Sequence, residues 1–219
     1  MSSEPRTIAL INPNTNAATT DMMVDLARET LPEWRVEGYT APFGPRMITE
    51  TVALEESVVP VVQLGHQVAE HADAIIVSAF GDPGRTELAE ALTIPVIGIG
   101  QAAILRAAAD GPFGIATTTR LLADSLRRLV EAHDGEERFT GIELTEADPL
   151  DLAADPDEQF RQLLAAVRRG SENGAESMII GGGPLSATAR RLRDEVDVGI
   201  VEPIPAACEL VSSMLHPAE

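Results

Sequence analysis

Apolar residues in this chain come in short unbroken runs, each ending in a turn and followed by a stretch with helical spacing. The clearest run is Ala74-Ile75-Ile76-Val77, which stops at Ser78-Ala79-Phe80-Gly81-Asp82-Pro83-Gly84. An apolar run without alternation reads as a strand buried on both faces, the kind found in parallel sheets. Ser177-Met178-Ile179-Ile180, running into Gly181-Gly182-Gly183-Pro184-Leu185-Ser186, repeats that shape about a hundred residues later. Further strands are predicted at Arg6–Ile11, Trp34–Thr40, Ile94–Gly100, Pro112–Ala116, Arg138–Leu144 and Val196–Val201. The spacing predicts a helix capped near Thr19, Thr20 or Asp21, one long helix from Thr51 to Ala72, and a short one at Glu87–Ala91. Later helices are predicted at Gln101–Ala109, Leu121–Ala132, Glu158–Asn173 and Ile204–Leu215, with Glu146–Asp157 as an acidic solvated loop.

Strands alternating with helices demand a parallel sheet. Here the alternation is written twice. Ile8–Asn14 matches Phe113–Thr119, Ala74–Gly84 matches Ser177–Leu185, and Pro95–Gly100 matches Asp197–Glu202. The predicted fold class is therefore α/β: two pseudosymmetric lobes, each a parallel sheet flanked by helices. Residues 1–100 with 205–219 are expected to form the first lobe and 101–204 the second. Ligands of open α/β sheets bind outside the carboxyl ends of the strands. The expected active site is a cleft where the strand ends of the two lobes face each other.

Composition narrows the chemistry. The chain has 219 residues, a formal net charge of −19 and 44% hydrophobic residues. Such acidity argues against nucleic acid and against an anionic membrane surface as partners, and leaves a small-molecule substrate. All sixteen basic residues are Arg. Without Lys there is no Schiff-base chemistry of the pyridoxal-phosphate kind and no P-loop lysine. Cys208 is the one cysteine, on the apolar face of the terminal helix, and no Cys/His spacing fits a metal. His66 and His71 are five apart, not the four of a helical pair. No cofactor and no metal are expected. No leader precedes the first strand and no apolar run is long enough to span a bilayer, so a cytoplasmic protein is expected.

Candidate site residues follow from the strand ends. Asn14 and Thr15 can hydrogen-bond a substrate carboxylate or ring carbonyl, or cap the next helix. Thr117 and Thr118 read as their symmetry partners in the second lobe. Gly181-Gly182-Gly183 can present backbone donors to an oxyanion or serve close strand–helix packing. Ser78, Phe80, Pro184 and Leu185 complete the expected lining. Asp82 reads chiefly as a cap for the next helix, and Arg46, on a lid-like loop, as a possible partner for an anionic substrate.

Asn12-Pro13-Asn14-Thr15, Phe80-Gly81-Asp82-Pro83-Gly84 and Pro95-Val96-Ile97-Gly98-Ile99 with Ala102-Ala103 together resemble the aspartate/glutamate/hydantoin racemase superfamily, nearest its hydantoin and allantoin racemase branch. The resemblance implies cofactor-independent proton transfer at a carbon beside a carbonyl, with two cysteines, one per lobe, and often a homo-oligomer. It places the first cysteine at Ala79 and the second at Gly182, and neither residue can carry a proton. Three readings stand open: an introduced Cys→Ala change at 79 in a one-thiol site, a hydroxyl such as Ser78 in the thiol's role, or binding without turnover. The leading expectation is an isomerase acting on a hydantoin, a ureide or a short dicarboxylate, its natural thiol at position 79. The alternatives are a one-thiol, decarboxylase-like lyase or ring-opening hydrolase, and a non-catalytic binding relative.

Overall fold

The computed structural model describes residues 5–216. The chain divides into two compact units. The first comprises residues up to Ile48, Val52–Ile99 and the end of the chain from Ile204. It holds strands β1 (Thr7–Asn12), β2 (Arg35–Thr40), β3 (Ala74–Val77) and β4 (Val96–Gly98). Its helices are α1 (Ala17–Thr30), most of α2 (Thr51–Glu56), α3 (Val58–Val68), α4 (Arg85–Ala91) and most of α10 (Pro203–Leu215). The second unit, Thr49–Thr51 with Gly100–Pro203, holds β5 (Phe113–Thr117), β6 (Phe139–Leu144), β7 (Ser177–Ile180) and β8 (Gly199–Val201). Its helices are α5 (Ile99–Asp110, after its first residue), α6 (Ala123–Glu131), α7 (Pro149–Ala154), α8 (Pro156–Glu172) and α9 (Ser186–Arg193).

Each unit has one four-stranded sheet, parallel at every pairing, in the orders β2-β1-β3-β4 and β6-β5-β7-β8. The fold class is the α/β architecture expected. All four residues of β3 are buried, and so are all four of β7, because helices cover both faces of interior parallel strands. In the first unit Ala9, Ile11, Ile75 and Val77 pack against Val61, Val68 and Leu88 of α3 and α4. In the second, Ala116, Met178 and Ile180 pack against Leu163, Val167, Ala189 and Leu192 of α8 and α9. Each Val, Leu, Ile or Met side chain among them contributes about 1.5–3 kcal/mol when fully buried.

Local chemistry moved several boundaries. The first helix begins at Ala17, not at Thr19–Asp21, and Asn16 is its cap residue. Thr20 is buried instead, its Oγ1 at 2.7 Å from that of Thr40. The predicted helix over 51–72 is two helices, broken at Ser57. Pro60 explains the break: it lacks an N–H, and its ring crowds the carbonyl four residues back. The expected acidic loop over 146–157 is α7 and the start of α8. Asp148 accepts from Leu150 N at 2.8 Å and Asp155 from Glu158 N at 3.0 Å, and each is followed by Pro at the first helical position. Helix α9 was not singled out by the apolar pattern, and β8 is only three residues long, since Val196–Val198 lies outside the pairing with β7.

On β2, the Tyr39 hydroxyl donates to Glu37 Oε2 at 2.7 Å and lies 2.9 Å from His71 Nε2. That hydrogen bond, with Arg35 and His71 adding positive charge against a desolvation cost, holds the Glu37 carboxyl below its ordinary 4.5. Burial, then Glu37 itself, pushes the Tyr39 phenol up to about 12.

Two outcomes follow. A group with a depressed folded pKa stabilises above its unfolded value and loses that contribution as pH falls through the folded one. Tyr39→Phe is therefore expected to raise the Glu37 midpoint in a carboxyl NMR titration and to flatten the acid limb of stability below pH 4.5. Gly65→Ala places a Cβ into the Leu88 methyl groups between α3 and α4. Leu88 is fully buried, so overpacking of about 1–3 kcal/mol is expected to outweigh the helix-propensity gain of about 1 kcal/mol. Urea unfolding reads the net loss.

Candidate functional site

In the first unit, β1 ends at Asn12, fully buried. Its Nδ2 donates to Asn14 Oδ1 (3.0 Å), Asn16 O (3.1 Å) and Thr20 Oγ1 (3.0 Å), and its Oδ1 accepts from Asn14 N (3.1 Å). Asn14 Oδ1 also accepts from Asn16 N at 2.9 Å. Asn14 is thus locked as a turn residue by its oxygen, and its Nδ2 has no partner among the described residues. It remains available as a donor. Thr15 serves the loop instead: its N–H donates to Pro45 O at 3.0 Å, which ties residues 41–45 to the end of β1. Arg46 is exposed beyond that tie.

The end of β3 is anchored on its neighbour. Both the N–H and the Oγ of Ser78 donate to Ile11 O, at 2.9 and 2.8 Å. The Ser78 proton is committed to that carbonyl, so the hydroxyl positions the strand end rather than standing ready as a nucleophile. Ala79 follows, and it alone among residues 74–80 is not buried. Its backbone φ is negative, whereas Gly81 (φ 143°), Asp82 (φ 51°) and Gly84 (φ 75°) all have positive φ. Asp82 N closes the turn on Ala79 O at 3.0 Å. Among the described residues, the N–H groups of Ala79, Phe80 and Gly81 donate to nothing. Phe80 is buried.

Asp82 does not cap α4, whose cap residue is Gly84 with no side-chain bond. Its buried carboxylate lies against Gly98, so closely that an added Cβ there would overlap it. That puts the charge where α5 opens, at the end of a helix that favours an anion.

The second unit repeats this construction with different residues. Gly181 N donates to Ala116 O at 2.9 Å, the counterpart of Ser78 N to Ile11 O. Thr145 N donates to Thr117 O at 3.2 Å, as Ala41 N does to Asn12 O at 3.0 Å. The register therefore equates Gly182 with Ala79 and Thr117 with Asn12. Asn14 and Thr15 correspond to Thr119 and Arg120, two residues beyond the sequence pairing with Thr117 and Thr118. Thr117 plays the structural part of Asn12: its Oγ1 donates to Gly181 O at 2.9 Å and accepts from Thr119 N at 3.4 Å. The strand pairing agrees with the segment match of Ile8–Asn14 to Phe113–Thr119, which sets Thr119 opposite Asn14. Asn12, Thr119 and Arg120 are not among the expected site residues because Thr117 and Thr118 read as the partners of Asn14 and Thr15 instead.

Gly182 alone among residues 177–183 is not buried, as with Ala79. Its φ of 145° is a conformation that side chains rarely adopt. Leu185 N donates to Gly182 O at 3.0 Å, and the N–H groups of Thr118, Gly182 and Gly183 have no acceptor among the described residues. Leu185 is buried beneath the turn and Pro184 is exposed. At the ends of β5 and β6 a cavity of about 380 Å³ is lined by Thr118, Arg120, Thr145, Glu146 and Asp148, with Thr49 on its wall.

Ala79, Ser78, Phe80, Asn14 and Thr15 thus gather at the strand ends of the first unit. Thr117, Thr118, Gly182, Gly183, Pro184 and Leu185 gather at those of the second. Cys208 belongs to neither group: it is buried in α10, and burial, with the charge of Glu209, pushes its thiol up to about 12. Among the described residues no group of three His, Cys, Asp or Glu is placed to hold a metal ion, and no helix is long and apolar enough to cross a membrane.

These features have relatives. The hydantoin racemase of Paenarthrobacter aurescens is 27% identical over 95% of this chain and 90% of its own. The allantoin racemase from Klebsiella pneumoniae superposes with a TM-score of 0.89 at 24% identity, over 96% of this chain and 87% of that one. The allantoin racemase from Pseudomonas fluorescens does so with a TM-score of 0.88 at 22% identity, over 95% and 90%. At those identities the two solved structures speak for the fold. The family model described as Asp/Glu/hydantoin racemase matches residues 8–211, nearly the whole chain. The chain belongs to the Asp/Glu/hydantoin racemase family and is racemase-like, an isomerase by class.

Proposed function

We propose that this chain is built for cofactor-independent proton transfer at a carbon beside a carbonyl, on a small polar substrate of the hydantoin or ureide kind, with position 79 as the seat of the proton-carrying thiol. The observation that carries this reading is the exposure pattern. Along each interior strand end a single residue reaches solvent, Ala79 in one unit and Gly182 in the other. Unpartnered backbone N–H groups surround both. Such donors stabilise the enolate that forms when the C–H proton leaves. In the first unit, Asn14 Nδ2 adds a side-chain donor for a substrate carbonyl. The names of the relatives, hydantoin and allantoin racemases, point to a cyclic diamide as substrate.

The two positions are not equivalent toward a thiol. Ala79 has negative φ, so a cysteine there keeps an ordinary backbone. Gly182 has φ 145°, where a side chain is strained. Inversion by proton transfer needs an acid–base group on each face of the carbon, whereas one thiol serves one face. This asymmetry favours a second reading beside the racemase: a one-thiol lyase or ring-opening hydrolase on the same scaffold. As written, the chain has no thiol at either position, so a form that binds without turnover is the third.

Ala79→Cys is expected to raise exchange of the C5 proton of hydantoins in heavy water by at least about 100-fold over the present chain, read by NMR. Exchange with loss of optical rotation marks racemisation, and exchange with retained rotation marks single-face transfer. New carboxylate without exchange marks ring opening. Absence of all three, with unchanged ligand affinity, refutes the enzymatic readings. Gly182→Cys alone is expected to cost about 1–3 kcal/mol of stability from backbone strain in chemical denaturation, with no gain in exchange.

A further inference from the structure

The end of β1 carries a buried network of side chains, and the proton-transfer reading uses only its outermost atom. The sense of each hydrogen bond in it is fixed by the main chain. A backbone N–H can only donate, so the side-chain amide atom that it meets is the oxygen. Asn14 N donates to the Asn12 side chain at 3.1 Å, and Asn16 N donates to that of Asn14 at 2.9 Å. Both amides are oriented in this way. With its oxygen on Asn14 N, Asn12 turns its Nδ2 toward Asn14 Oδ1 (3.0 Å), Asn16 O (3.1 Å) and Thr20 Oγ1 (3.0 Å), all of which accept. With its oxygen on Asn12 Nδ2 and Asn16 N, Asn14 turns its own Nδ2 away from the network. That nitrogen has no partner among the described residues, and it is not among the unpartnered side-chain atoms sealed from solvent.

The two holds on the Asn14 oxygen are unequal. Asn16 is exposed, so its N–H can turn to water at little cost. Asn12 is fully buried, and its amide hydrogens have only protein atoms to meet. Thr20, also buried, keeps the other side of that amide occupied. Its Oγ1 lies 2.7 Å from that of Thr40 at the end of β2. Gly38 leaves room for it, since a Cβ there would come within 2.9 Å of Thr20 Cγ2. The orientation of Asn14 is therefore decided from inside the unit, by Asn12. The second unit has no fixed sense at the matching place. Thr117 Oγ1 and Thr119 Oγ1 lie 3.1 Å apart, and a hydroxyl can donate or accept.

We propose that Asn12 is a positioning residue: it holds the Asn14 amide with its nitrogen outward, so the Asn14 side chain meets a ligand only as a hydrogen-bond donor. The proposal rests on the reading of Asn14 as a ligand contact and adds what sets its polarity. Asn12→Asp is the direct test, because it is nearly isosteric and replaces the donor facing Asn14 Oδ1 by an acceptor. Asn14 then turns its amide over, and the Asn16 N–H goes to water. In the free protein, the through-hydrogen-bond NMR coupling between Asn16 N and the Asn14 side-chain carbonyl carbon is expected in the parent chain and lost in Asn12→Asp. A merely structural role for Asn12 lowers stability without moving that coupling. The parent chain has no thiol at position 79, so hydantoin affinity is measured on the same samples without turnover. Hydantoin is expected to bind Asn12→Asp at least about tenfold more weakly. Asn14→Asp, which keeps an oxygen toward Asn12 and Asn16 but places another outward, is expected to weaken hydantoin as much with its coupling retained. Should the buried carboxylate prevent folding, Asn12→Ala is expected to weaken the coupling as Asn14 samples both orientations. A coupling absent from the parent chain, or one that survives Asn12→Asp or, where that variant does not fold, Asn12→Ala, overturns the proposal. So does unchanged hydantoin affinity once the coupling is gone. Couplings as expected in a parent chain that does not bind hydantoin support the positioning role and overturn the hydantoin reading.

Discussion

One backbone contact organises each unit: the first residue past an interior strand donates its N–H to the neighbouring strand one residue before that strand ends. In the first unit this is Ser78 to Ile11, in the second Gly181 to Ala116, both at 2.9 Å. A parallel sheet staggers its strand ends, and this contact sets the stagger. The next residue, 79 or 182, is then released from the sheet at the level where the adjacent strand turns away. It emerges part-exposed among buried neighbours, beside N–H groups that the sheet no longer uses. The spot is made by hydrogen bonding rather than by the residue filling it.

The two units meet that constraint with different chemistry. The first spends side chains on it: Ser78 on Ile11, Asn12 and Asn14 on the turn, Asp82 against Gly98. The second uses a glycine run and Thr117, with fewer side-chain ties. Glycine lets the backbone at 182 adopt a φ that a side chain resists, so the turn keeps its donors without a side chain. Ala79 sits in an ordinary conformation. A duplicated fold has in this way become chemically lopsided while the register of β3 on β1 and of β7 on β5 stays the same.

Polar residues carry more of the distinction between readings than apolar ones. The Cys208 thiol, the one such group in the chain, is buried and held protonated by its surroundings, so it offers no proton acceptor near neutrality. Thr145, by contrast, has nothing in the sequence to single it out. The burial of its hydroxyl without a partner, next to a guanidinium, is a property of the folded chain alone.

The alternation of short apolar runs with helical stretches was enough to read two parallel α/β lobes and the residues at their strand ends, because burial on both faces of a strand leaves a mark in every residue of it. Ala79 and Gly182 were legible as equivalent positions for the same reason: each follows an apolar run at the same distance. What the pattern could not decide was anything set by pairing across the chain. The helical start of 146–157 rests on two Asp-Pro caps that outweigh an acidic, loop-like composition. The commitment of the Ser78 proton and the place of Asp82 against Gly98 are contacts between residues far apart in sequence. Local composition encodes which segments are buried; only the folded backbone decides which polar atoms find partners there and which are left without one.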